Sequence, residues 1–293
     1  MTEHKKGVLM VIAGASMWGC SGVAAQYLFQ QCAVTPEWLV VVRMLLSGGI
    51  LLSIDCAISR NSLIRIWKER HDAVSLILFG IFGIMAVQYT YFAAIKYGNA
   101  ATATVLQYLM PVIIVIYESF RRHSFPLPRE IRAVMLAIMG TFLLVTHGKP
   151  DSLAVSEETL FWGILSAFAA AFYTVQPKKL LRRYRAPLVV GWGMIVGGVS
   201  FLPICLPWDI PGTWDALAPW VFTFIILFGT VIAFGLYLGS LRYLQPQETG
   251  LLGTVEPLSA IIFTVLLMNI PFGLMDVIGS LCIISTVFIV AKK

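Results

Sequence analysis

YFAAIKYGNAATATVLQYLMP begins at Tyr91, and YLGSLRYLQPQETGLLGTVEP begins at Tyr237. An offset of 146 lays Tyr91 on Tyr237, Lys96 on Arg242, Tyr97 on Tyr243, Leu106 on Leu252 and Pro111 on Pro257. Both stretches sit in strongly apolar surroundings. A repeat of this kind, with its copies facing opposite sides of a membrane, is the signature of an alternating-access carrier.

The composition agrees. Of 293 residues, 58% are hydrophobic and 12% charged, with a mean hydropathy of +0.84. Soluble domains carry about 25% charged residues, so lipid is the expected solvent. Apolar stretches long enough to cross a bilayer, about 20 residues, fall near 7–28, 37–58, 72–95, 99–118 and 130–147, then 158–177, 187–206, 217–241, 247–268 and 273–291. These ten spans predict an all-α membrane protein of two five-helix repeats, 7–147 and 158–291, with no soluble domain between them. An odd number of spans per half makes the second copy enter from the opposite side, so the repeat is inverted.

The charges set the orientation. With the N-terminus in the cytoplasm, 18 of the 21 Lys and Arg lie inside, Lys96 and Lys149 lie outside, and Arg43 falls within a span. Loop positive charge determines orientation, so both termini are expected in the cytoplasm. Basic residues along one membrane face fit anionic lipid headgroups better than nucleic acid. The five cysteines give no disulfide framework and no metal-ligand spacing. The first segment follows His4, Lys5 and Lys6, but its length and the spans behind it favour a retained helix over a signal peptide.

Within each half, the third and fourth spans join through very short turns, Tyr97 to Asn99 and Tyr243 to Pro246, which force antiparallel neighbours. Proline then recurs at Pro111 and Pro257. Each should kink its helix near mid-bilayer. Carbonyls freed at that depth are tolerated only within protein or beside a polar cavity, so the paired kinks point to a binding site. The segment from Arg60 to Arg70 reads as a short amphipathic stretch on the inner interface. The pairs Gly48–Gly49 and Gly197–Gly198 occupy matching places and predict close helix packing.

Four motifs together carry a family resemblance: MWGCSGV at 17–23, VVRMLL at 41–46, YFAAIKYGNAATATVLQYLMPV at 91–112 and YLGSLRYLQPQETGLLGTVEPLSA at 237–260. In their order and spacing, over essentially the whole chain, the sequence resembles the drug/metabolite transporter superfamily in its ten-helix EamA-type branch. The resemblance implies two EamA repeats that move small polar metabolites, often amino acids outward, across the cytoplasmic membrane. It also implies a central cavity lined by spans 1, 3, 4, 6, 8 and 9, with spans 5 and 10 peripheral. The first copy departs from the second in having Met110 where the second has Glu256.

Glu256 is the leading site residue, about 15 Å deep by helical rise. An acid at that depth usually faces a cavity or a partner. It would bind a substrate ammonium or carry a coupling proton; the bland alternative is a protonated acid gluing two helices together. Arg43 would bind a substrate carboxylate, pair with Glu256 or anchor its helix through backbone carbonyls, and the structural reading is favoured because span 2 is peripheral in the resembled fold. Thr104, Gln107, Tyr108 and Pro111 recur at i, i+3, i+4 and i+7 and make a polar face that Glu118 continues. Gln88, Tyr89, Phe92 and Lys96 share a face of span 3, as do Ser166, Tyr173 and Pro177 of span 6. Trp18, Tyr89, Tyr108 and Tyr173 are expected to converge near Glu256 as an aromatic enclosure for a cation, against ordinary packing for each ring alone.

The substrate-binding set is therefore Glu256, Trp18, Gln88, Tyr89, Thr104, Gln107, Tyr108 and Tyr173, with Arg43, Pro111, Pro257 and Glu118 in structural or coupling roles. No nucleotide-binding G-x-x-x-x-G-K-[ST] is present. No cofactor or metal is expected. The leading function is a secondary carrier for a small polar metabolite, an amino acid or related amine. The alternatives are a proton-coupled carrier of quaternary ammonium or drug-like cations, and an integral membrane enzyme. The enzyme lacks a convergent cluster, since His4, His71, His123 and His147 are scattered. A channel would need rings of repeated charge, which are absent. The expected partners are the lipid bilayer and the metabolite, and a homodimer is compatible with the sequence.

Overall fold

The computed structural model describes residues 3–59, 63–121, 123, 125–149, 153–244 and 246–291, and among these the chain is helical without a strand. The first half comprises α1 (Glu3–Gln30), α2 (Pro36–Ser59), α3 (Arg70–Tyr97), α4 in two pieces (α4a Ala100–Gln107, α4b Met110–Arg121) and α5 (Pro128–Thr146). The second comprises α6 (Glu157–Val175), α7 (Ala186–Phe201), α8 (Ala218–Ser240), α9 in two pieces (α9a Pro246–Leu252, α9b Val255–Met268) and α10 (Leu274–Ala291). Seven of these, α1, α2, α3, α4, α6, α8 and α9, are long and apolar enough to cross a membrane. The α7 and α10 helices are apolar but shorter, and α5 opens with Arg129, Glu130 and Arg132 in its first turns.

Local chemistry fixes the helix starts. The Asn99 side chain accepts from Thr102 N at 2.8 Å and caps α4a. Ser156 caps α6 by accepting from Thr159 N at 3.1 Å, and ahead of α8 the Asp215 side chain accepts from Leu217 N at 3.0 Å and Ala218 N at 2.7 Å. Each cap satisfies an end amide that the helix itself leaves without a partner.

The two halves share their irregularities. Both α3 and α8 widen into a π-helix, at Phe79–Met85 and at Leu227–Ile232. The repeat offset lays Gly83 on Gly229, one in each π segment. The expected proline kinks are full breaks, at 108–109 in α4 and at 253–254 in α9. These lie just before Pro111 and Pro257, where the missing proline amide ends the regular ladder. Widened turns of this kind gather at functional sites.

The broken helices diverge. The α4a piece packs on α9b, whereas α4b rests on α6, α10 and α5, and α9a on α1 and α10. The two therefore meet on one side of the bundle and part toward the other, where His4 Nε2 lies 2.7 Å from Glu248 Oε1. That second side also carries Arg121, Arg183, Arg185 and Arg242 and is called the basic face below. Its halves are tied by Arg183 on Asp72 at 3.1 Å, Tyr184 on Asp72 at 2.9 Å and Arg185 on Asp55 at 3.6 Å.

The amphipathic stretch is docked rather than free on the interface. Arg65–Lys68 forms one helical turn, Ile66 is buried, and Trp67 meets Trp192 of α7 edge-on at 5.3 Å. The Trp192 indole donates to Leu63 O at 2.9 Å. Arg60 lies outside the described residues.

Of the neighbouring glycines in α2, only one is a contact. A side chain at Gly48 would press on the Gly191 carbonyl of α7 at 2.9 Å, whereas Gly49 has open space around it. Gly48→Ala should therefore destabilise the protein by about 1–3 kcal/mol through overpacking, while Gly49→Ala should be neutral or gain up to about 1 kcal/mol of helix propensity. Thermal unfolding of the two variants in detergent checks this. Equal effects would contradict the packing.

Candidate functional site

A cavity of about 460 Å³ lies where the two broken helices part. Small-molecule sites commonly fall between about 300 and 1,000 Å³. Tyr108, the first residue of the α4 break, lines it. The Tyr108 hydroxyl reaches the other break, donating to Gly253 O at 2.9 Å, and lies 3.2 Å from Glu256 Oε2. Gly253 is the residue whose carbonyl the amide of position 257 would meet in an unbroken helix, and position 257 is proline. Tyr108 thus replaces a missing donor in the opposite repeat. Glu256 N adds a tighter-turn bond to the same carbonyl at 3.0 Å.

The walls come from several helices. Trp18 and Gly22 of α1, Gln88 and Tyr91 of α3, Gln107 and Pro111 of α4, Tyr173 of α6, Phe234 and Tyr237 of α8, and Gly250 and Glu256 of α9 all face it. Close approach of α1 to α9 depends on Gly19, where any side chain would strike the Glu256 carbonyl at 2.6 Å. Trp18 meets Phe234 at 5.1 Å and Tyr237 at 5.0 Å between ring centroids. Gln107 donates to Ser166 Oγ at 2.7 Å, tying α4 to α6.

On the far side from the basic face, amide side chains of α1 hold the start of α4. Gln26 of α1 is fully buried and accepts from Ala100 N at 2.8 Å. It also donates to Gln30 at 3.0 Å, and Gln30 donates to Gly98 O at 2.9 Å. This amide relay clamps α1 to the α3–α4 turn.

Of the expected site residues, Glu256, Trp18, Gln88, Gln107, Tyr108, Tyr173, Arg43 and Pro111 line this one cavity. Four do not. Tyr89 turns toward α2, donating to Glu37 at 3.0 Å and packing on Trp162 and Phe201. Thr104 is fully buried, bonded to Ala100 O at 2.7 Å and to the Tyr91 hydroxyl at 2.8 Å. Pro257 is buried in α9b. Glu118 lies in the last turns of α4b, outside the cavity wall. The aromatic enclosure is therefore three of the four expected rings, with Tyr91, Phe92, Phe234 and Tyr237 added. The added pair Tyr91 and Tyr237 head the two repeat copies, so the repeat itself was the signal for them.

Arg43 combines both roles considered for it. Its Nε donates to Thr230 Oγ1 at 2.8 Å and its Nη2 to Gly229 O at 3.2 Å, both in the π segment of α8. The guanidinium sits 5.1 Å above the Phe92 ring. It also faces the cavity, so α2 joins the lining, as do Met194 of α7 and Val287 of α10. No ion pair joins Arg43 to Glu256 among the described residues.

A family model described as EamA-like transporter family matches residues 5–146 and 158–292. An uncharacterised inner membrane transporter of Salmonella typhimurium, YicL, is 40% identical over 294 residues, 99% of this chain and 97% of that one. An aromatic amino acid exporter of Ancylobacter novellus, YddG, is 24% identical over 66% of this chain and 67% of its own length. A solved crystal structure shares the fold with a TM-score of 0.63 at 17% identity, covering 98% of this chain and 96% of its own.

Tyr108→Phe should leave the Gly253 carbonyl short of a donor. Because Glu256 N still reaches that carbonyl, the loss is that of a typical net hydrogen bond, about 0.5–1.5 kcal/mol, so amide hydrogen exchange across 253–259 should speed up by about two- to tenfold. Unchanged protection there would mean that the hydroxyl does not hold the break.

Proposed function

The chain belongs to the EamA-like transporter family, and on that premise we propose that it is a secondary carrier exporting a small amino-bearing metabolite, an amino acid or related amine, across the cytoplasmic membrane by alternating access. It is a multi-pass membrane protein and a transporter, not an enzyme. The observation that carries the proposal is Glu256, an acid beside a helix break, facing a cavity walled by aromatic rings. A carboxylate there attracts an ammonium group strongly because little water competes. Rings facing the same space add cation–π attraction.

In this reading the ten helices span as two inverted repeats, 7–147 and 158–291, and the basic face lies in the cytoplasm. The cavity then loads from the cytoplasm while the Gln26–Gln30 relay keeps the outer side closed. Release outward requires that relay to part and the basic face to close. The aromatic amino acid exporter among the relatives supports both the substrate class and the direction.

Counterflow in proteoliposomes tests the proposal, with amino acids, polyamines and quaternary amines as the panel. Saturable exchange of an amino-bearing compound is expected, reduced about tenfold or more in Glu256→Gln by loss of a charged contact, with folding unchanged. Wild-type rates in that variant would overturn the role of Glu256. Exchange of quaternary amines alone would favour the drug-like-cation reading.

A further inference from the structure

One corner of the cavity is built for an anion. Arg43 is only 8% exposed and no carboxylate pairs with it among the described residues. Two of its nitrogens are fixed on the π segment of α8, at Thr230 and Gly229, and Nη1 donates to none of the described residues. Glu256 lies within electrostatic reach of the guanidinium without forming an ion pair with it. A buried cation with no anion in contact remains a strong attractor for one.

One further polar group faces the same corner without a partner. Ser21 of α1 is 3% exposed, lines the cavity, and its Oγ is buried without a hydrogen bond. It lies against Gly229, so closely that a side chain on that glycine would collide with the hydroxyl. Gly229 is also the residue whose carbonyl Arg43 caps, so hydroxyl and guanidinium are neighbours. Buried polar atoms are nearly always bonded. A guanidinium N–H and a hydroxyl converging on one space are donors that hold a carboxylate.

We propose that Arg43 and Ser21 form the seat of a substrate carboxylate, so that the transported molecule is a zwitterion rather than a simple amine. This rests on the reading of Glu256 as the amine site. An amine without a carboxylate leaves Arg43 with no anion in contact. A dianion meets Glu256. Only a molecule carrying both charges satisfies the two fixed groups together.

The test compares matched pairs that differ by the carboxylate alone, phenylalanine with phenethylamine and lysine with cadaverine, by calorimetric binding to the purified protein. The amino acid of at least one pair should bind about tenfold or more tighter than its amine, the usual loss for a hydrogen-bonded charged contact. Arg43→Gln also strips the α8 π segment of its cap, so Ser21→Ala carries the assignment. It should weaken the amino acid severalfold and leave the amine unmoved. Equal affinity within both pairs, or equal weakening of both members by Ser21→Ala, would overturn the carboxylate seat while leaving the amine site standing. Binding of neither member overturns the Glu256 reading and the seat with it.

Discussion

A helix broken inside a membrane frees peptide groups that lipid cannot satisfy. Pro257 withholds the amide that would reach the Gly253 carbonyl, and the hydroxyl of Tyr108 takes its place from the opposite repeat. Much else follows from that contact. It fixes the crossing of α4 and α9 at their breaks and brings Tyr108 beside Glu256. It also sets the point from which the two helices part toward the basic face. The cavity is the space that this parting leaves.

The two repeats share architecture and differ in chemistry. Each has a π segment in its third helix and a break in its fourth. The residues at those places have diverged. Tyr108 falls on Thr254, whose hydroxyl turns back onto Leu251 O within its own turn at 2.7 Å. Met110 falls on Glu256, and Gln107 on Gly253. Aligned on the glycine pairs of α2 and α7, Arg43 falls on Trp192, which packs against Trp67 at the basic face. A symmetric scaffold can rock about its centre, while an asymmetric lining gives one substrate a fixed orientation within it.

Much of this was legible in the sequence because hydropathy, the repeat and proline act locally. The helix limits, the paired breaks and the position of Glu256 follow from those signals. The face of α3 did not. Tyr89 and Tyr91 are both plausible polar-ended rings, and the choice between them is made by Glu37 on α2, which draws Tyr89 away. Local spacing carries no record of that partner. The role of Arg43 was half legible, since a π-helix leaves no mark on hydropathy, and only its displaced carbonyls explain why a cation of α2 is needed at α8. Thr104 shows the limit of the polar-face argument: its hydroxyl is satisfied within the helix at Ala100 O and by Tyr91, so it has no need of a cavity.

The central claim is that substrate occupies the space between the parted helices and enters from the basic face. Gly250 reports on it directly, because it lines the cavity and has open space around it. With Cys20, Cys32, Cys56, Cys205 and Cys282 replaced, Gly250→Cys can be labelled in oriented vesicles with a thiol reagent that does not cross membranes. Labelling from the cytoplasmic side, slowed by saturating substrate amino acid, is the predicted result. Labelling from the outside alone, or a rate indifferent to an amino acid that the protein transports, would contradict it.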